Sequence, residues 1–138
     1  MNREFSRRMI PILMAVILTA CGGANKPSHQ IQVTMSDFAF TPNAFTVPAG
    51  EQLTFTATNN GAVAHSFVII KLGHEVTGHF TSQDEASVYW EQADIAHGAS
   101  VAAALTAPSV PGVYQVVCAH AGHFEAGMVA KLTVVLKP

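Results

Sequence analysis

Beyond residue 30, apolar and polar residues alternate with a period of two along much of the chain, the spacing of strands with one buried face. Ile31-Gln32-Val33-Thr34-Met35 opens the pattern, Phe45-Thr46-Val47 continues it, and Leu53-Thr54-Phe55-Thr56-Ala57-Thr58 repeats it. Asn59-Asn60-Gly61 supplies turn chemistry ahead of Ala64–Ile70. Val101–Leu105, Val113–Cys118 and Met128–Leu136 complete about seven strands, rich in Val, Thr and Phe. Thr41-Pro42-Asn43, Pro48-Ala49-Gly50 and Pro111-Gly112 punctuate them. Short strands at this spacing predict an all-β, antiparallel Greek-key sandwich. The stretch His74–His97 interrupts the pattern and is far longer than the usual connection of about 4–6 residues. Within it Gln83–Ala93 is the part able to carry a short helix, and Phe80, Tyr89 and Trp90 are expected to fold the insertion onto the sandwich.

Composition changes this picture mainly at the N-terminus. Of 138 residues, 49% are hydrophobic and 12% charged, with a mean hydropathy of +0.30. Part of that excess is an export signal over residues 1–20, where Arg3, Arg7 and Arg8 precede the apolar run Met9–Leu18. The run is too short to span a bilayer, which takes about 20 apolar residues. Leu18-Thr19-Ala20-Cys21 resembles a bacterial lipobox, which implies that Cys21 is acylated and becomes the mature N-terminus. Residues 21–30 then read as a flexible tether, and 31–138 as one folded domain. The protein is expected at an extracytoplasmic membrane surface. From Cys21 onward four Lys and no Arg face eight Asp or Glu, a formal charge of −4. Without a basic stripe, nucleic acid is not an expected partner.

If Cys21 carries lipid, Cys118 has no partner for an intramolecular disulfide. A lone Cys at a strand end is by default a small buried hydrophobe. Met128 is by default core, His65 a strand-end histidine and His123 a loop-surface one. Taken together those defaults weaken. Cys118, His120, His123 and Met128 crowd one loop between the last two predicted strands, and Met128 is one of only two Met in the mature chain. Thiolate, two imidazoles and a weak axial thioether are the donor set of blue-copper electron-transfer sites. One imidazole must then come from elsewhere, and His65, following the turn at Asn59–Gly61, is the best candidate.

At these residues the chain resembles the cupredoxins. The resemblance rests on the Cys-x4-His-x4-Met spacing at Cys118, His123 and Met128, on His65-Ser66-Phe67, on Gly127-Met128, and on Val47-Pro48-Ala49-Gly50 leading into a Thr-rich strand. It covers Ile31–Pro138 and looks most like the auracyanins, with sulfocyanin-like and azurin-like carriers close by. The resemblance implies an eight-stranded Greek-key sandwich with one type 1 copper near one end, cycling between Cu(I) and Cu(II). It also implies a monomer that shuttles single electrons between larger redox complexes. Two positions depart from the family pattern: Ser66 stands where Asn often ties the two ligand loops together, and Ala119 follows the Cys in place of a hydroxyl residue.

Geometry decides between the loop histidines. Metal bonds of about 2.0–2.3 Å, on zinc values, keep donors within about 4 Å of one another. Same-face residues two apart in a strand have Cα atoms about 6.5 Å apart. His120 could therefore share a metal with Cys118 only across a sharp kink. His123 follows Gly122, which is free to take positive φ and turn the loop back, so the predicted ligands are His65, Cys118, His123 and Met128. His120 is expected on the surface beside the site. His29 and His97 are left without a metal role, and His74, Glu75 and His79 are expected as solvated loop residues. Three other readings compete: a copper carrier or storage module, a copper-dependent reductase, and an immunoglobulin-like adhesion domain without metal. A filled donor set leaves no open position for substrate, and neither a second thiolate near Cys118 nor a Cys-x-x-Cys-His haem motif is present.

Overall fold

Nine strands form two sheets in a computed structural model that describes residues 26–137. The expected export signal over residues 1–20, the candidate lipidation site Cys21 and the first half of the expected tether lie outside the described residues. Strands β1 (Gln30–Ser36), β2 (Ala39–Thr41), β4 (Gln52–Asn59) and β7 (Ser100–Thr106) make one sheet in the order β2-β1-β4-β7. Strands β3 (Ala44–Pro48), β5 (His65–Ile70), β6 (Val88–Ile95), β8 (Gly112–Val117) and β9 (Val129–Val135) make the other, in the order β3-β9-β8-β5-β6. All seven predicted strands are present. The sandwich is nonetheless not purely antiparallel, because β1 runs parallel to β4 and β3 parallel to β9.

The alternation read from the sequence becomes the core. Ile31, Val33 and Met35 of β1, and Leu53, Phe55 and Ala57 of β4, point inward while their neighbours stay wet. They meet Phe67, Ile69, Val116, Leu132 and Val134 from the facing sheet. Phe67 is the hub, with the rings of Phe40, Phe45 and Phe55 at 5.4, 5.9 and 4.9 Å. Ordered pairing also reaches back into the predicted tether, since the Ser28 amide donates to the Thr46 carbonyl at 2.9 Å.

The insertion corrects the expectation of a helix. Only Glu85–Ser87 forms a single 3-10 turn, and Val88–Ile95 continues as the edge strand β6 against β5. Val88, Trp90 and Gln92 alternate with exposed neighbours, so the stretch has a strand's period and β-forming residues. Phe80 and Val88 pack on Val68, Ile70, Val76 and Val117, which explains why β5 is buried on both faces. Trp90 reaches the main core at 5.0 Å from the Phe55 ring, and the Tyr89 hydroxyl donates to the Thr106 carbonyl at 3.0 Å. The three aromatics thus fasten the insertion as expected.

Candidate metal centre

Strand register brings the candidate donors to one end of the five-stranded sheet. Val68 pairs with Val117 and Val117 with Val129, so His65, Cys118 and Met128 all lie just beyond those rungs at the same end. The Cys118 amide donates to the Met128 carbonyl at 3.3 Å, and the Met128 amide donates to the His123 carbonyl at 3.0 Å. Between them the loop folds back through Gly122 (φ 83°) and Gly127 (φ 98°), conformations that cost glycine little. The bend expected at Gly122 is what delivers His123.

His65 Nδ1 lies 3.1 Å from His123 Nδ1, and Cys118 Sγ lies 3.3 Å from His123 Nδ1. The three donor atoms fall within 4.8 Å of one another, and all three residues are buried. Met128 is fully buried, within the main core. His120 is not part of the group. Its ring sits at the rim, 5.3 Å from that of His123, with Nε2 3.3 Å from Asp94 Oδ1. His29, His74, Glu75, His79 and His97 are exposed.

Ser66 takes over at both departures from the family pattern. Its amide and its hydroxyl donate to Cys118 Sγ at 3.4 and 3.7 Å, and its hydroxyl oxygen accepts the Ala119 amide at 2.9 Å. One residue therefore ties the His65 strand to the Cys118 loop and places two donors on the sulfur, its backbone amide and its hydroxyl. The approach to His65 is equally fixed. The buried Asn59 amide donates to the carbonyls of Val63 and Ile95, each at 2.8 Å, and its oxygen accepts the Gly61 amide at 2.8 Å.

Burial holds both imidazoles below their ordinary titration range. For His65 desolvation outweighs the opposing pull of the Asp37 carboxylate. For His123 the charges of His65 and His120 add to desolvation. Neutral rings keep a lone pair free, which metal binding requires. A soft sulfur and two imidazoles, dry and pre-gathered, suit a transition metal such as copper or zinc rather than a hard cation.

Two residues touching this group went unread in the sequence. Asp37 Oδ1 lies 3.2 Å from His65 Nε2, and the Phe38 ring stands edge-on to His123 at 5.1 Å. Both sit in the turn between β1 and β2, which belong to the opposite sheet, and nothing in the local sequence announces that crossing.

Residues 27–135 match the model of the copper-binding proteins of the plastocyanin/azurin family. Over 119 residues the chain is 34% identical to the copper-resistant cuproprotein CopI of Rubrivivax gelatinosus, covering 82% of this chain and 70% of that protein. It is 35% identical over 100 residues to plastocyanin of Mercurialis perennis, covering 71% of this chain and 89% of the plastocyanin. Reduced auracyanin of Roseiflexus castenholzii superposes with a TM-score of 0.69 at 26% identity, over 80% of this chain and 99% of that one. With these likenesses the donor chemistry resolves to one metal: His65, Cys118 and His123 are positioned to bind a single copper.

Proposed function

Because the chain belongs to the plastocyanin/azurin family of copper-binding proteins, we propose that it is a membrane-anchored carrier of single electrons rather than an enzyme. The observation that carries this reading is the closed, buried donor trio His65, Cys118 and His123. Bound copper supplies a one-electron couple, Cu(I)/Cu(II). The protein's own residues do the rest. Cys118 and the two imidazoles would hold the ion, and the buried Met128 would add a weak thioether. Ser66 and the backbone bonds of the 118–128 loop fix the donors, so they need not rearrange when charge changes. The surrounding core excludes water and competing ligands. In this reading Cys21 carries lipid, residues 21–30 tether the domain at the extracytoplasmic surface, and larger redox complexes give and take the electron. Durable anchoring takes more than one acyl chain, as a bacterial lipoprotein carries.

Copper content and visible absorption of the purified protein test this function. One copper per chain is expected, with an intense thiolate-to-Cu(II) band that a reductant bleaches and an oxidant restores. A protein that stays colourless and copper-free after reconstitution refutes it. Mass spectrometry of the native N-terminus tests the anchor separately: an unmodified Cys21 removes it.

A second reading is copper handling under copper stress, favoured by the likeness to a copper-resistant cuproprotein. It uses the same donors. Loss of copper tolerance without loss of electron flow in cells lacking the protein selects it.

Two substitutions probe the ligand assignment. His120→Ala leaves the spectrum nearly unchanged, since the ring lies outside the trio and leans on Asp94; a lost band would place His120 on the metal. Met128→Leu keeps copper and colour but raises the reduction potential, because a distant thioether stabilises the electron-poor Cu(II) more than Cu(I). Voltammetry at one pH reads the shift, and an unchanged potential makes Met128 core alone.

A further inference from the structure

The tip of the β1–β2 hairpin touches both imidazoles at once. Ser36 pairs with Ala39, which leaves Asp37 and Phe38 as a two-residue turn. Asp37 is aimed from two sides. Its two carboxylate oxygens accept the Ala62 amide at 2.9 and 3.0 Å, and Oδ1 also faces His65 Nε2 at 3.2 Å. Gly61 makes room for this approach: a Cβ there would collide with Asp37 Oδ1 and stand 2.7 Å from His65 Nε2. Phe38 holds φ at 69°, a conformation in which a bulky side chain is an outlier. Burial does not account for that strain, since Phe38 is 42% exposed. Its ring instead closes edge-on over His123. Strain kept at a bulky residue beside a site is a pointer to function.

Resting on the copper reading above, we propose that Asp37–Phe38 is a clasp that positions both imidazoles, with the Asp37 carboxylate fixing the His65 tautomer and favouring Cu(II). The chemistry follows from one proton. A neutral imidazole carries a single N–H, and His65 Nδ1 faces Cys118 and His123. The proton therefore belongs on Nε2, where it donates to Asp37. A carboxylate behind a ligating imidazole makes the other nitrogen a stronger donor. The fixed negative charge also favours the more positive of two oxidation states. Phe38 restricts the swing of His123. Asp37 and Phe38 are positioning residues, since both act through another side chain.

Asp37→Asn is the informative change, because it keeps the turn and one oxygen for the Ala62 amide while removing the charge. In the metal-free protein, 15N chemical shifts of the His65 ring are expected to show the Nε2–H form in the wild type and a mixture of tautomers in Asp37→Asn. With copper, Cu(II) affinity is expected to fall about 10–100-fold, the range for losing such an outer partner. Cu(I) affinity falls less, so the reduction potential rises. Asp37→Glu, which keeps the charge, lies closer to the wild type than Asp37→Asn does. Phe38→Gly, suited to positive φ, leaves metal-free thermal stability intact but speeds displacement of His123 by added imidazole. If Asp37→Asn fails to fold, Asp37→Ser carries the same comparison with an oxygen still on offer to Ala62. A lowered melting temperature with unchanged tautomer and potential makes Asp37 a mere turn residue and overturns the inference. A wild type that binds copper, with variants that match it, overturns the inference alone. A wild type that binds no copper overturns the function as well.

Discussion

Cys118→Ser yields a folded protein without the intense visible band. The serine hydroxyl is far too weak an acid to replace a thiolate as an anionic donor near neutral pH, and a hard oxygen gives no low-energy sulfur-to-Cu(II) charge transfer. Folding survives because the exchange is nearly isosteric and the polar atom does not go unpaired. The Ser66 amide and hydroxyl, which donate to Cys118 Sγ at 3.4 and 3.7 Å, remain on offer to the new oxygen. Pairing matters here because the position is fully buried, where an unsatisfied polar group costs about 1–3 kcal/mol. Circular dichroism should therefore match the wild type while the visible spectrum and tight copper retention disappear together. A strongly coloured Cys118→Ser protein would mean that the sulfur is not the source of the band.

The loop that carries Cys118 and His123 was legible because its chemistry is local. A thiol, an imidazole and a thioether at fixed intervals, with a glycine before the imidazole, say both what binds and where the chain bends. His65 was legible for a related reason: it opens an apolar run directly after turn residues, and β5 follows. Period-two alternation likewise gave seven strands, since each has one face in the core. The failures share a different cause. Ala39–Thr41 is too short to display a period, and Val88–Ile95 is an edge strand whose alternation is between half-buried and exposed residues. Its contrast was too weak to separate it from a helix by pattern alone. Asp37 and Phe38 were invisible because their partners lie 28 and 85 residues away on the opposite sheet. Ser66 was read as a missing tie between the loops. A hydroxyl proves sufficient for that role because its strand lies close enough to reach both Cys118 Sγ and the Ala119 amide.

Phe67→Ala is expected to be the most destabilising substitution in the core, costing about 3–5 kcal/mol. Its ring is fully buried and meets three other phenylalanine rings within 5.9 Å, two of them edge-on, so removal forfeits burial and these ring contacts together. The cavity cannot close easily. Phe40 and Phe55 stand on strands of one sheet and Phe45 on the other, each held by its own ladder of hydrogen bonds. Against a total stability of about 5–15 kcal/mol, such a loss removes a large share of the folded state's margin. Thermal unfolding of the metal-free protein should move down by roughly 12–40 °C, at about 4–8 °C per kcal/mol for a domain near this size. Phe67→Leu, which refills much of the space, should fall far less. Copper separates the core from the centre. Binding to the native state raises stability by an increment set by affinity and free metal alone. Phe67 points into the sandwich while His65 and Ser66 on the same strand face the metal loop. The variant and the wild type should therefore gain the same increment at equal free copper. A smaller gain in Phe67→Ala would mean that the cavity is felt at His65, two residues along the strand, and that the core itself holds the imidazole in place.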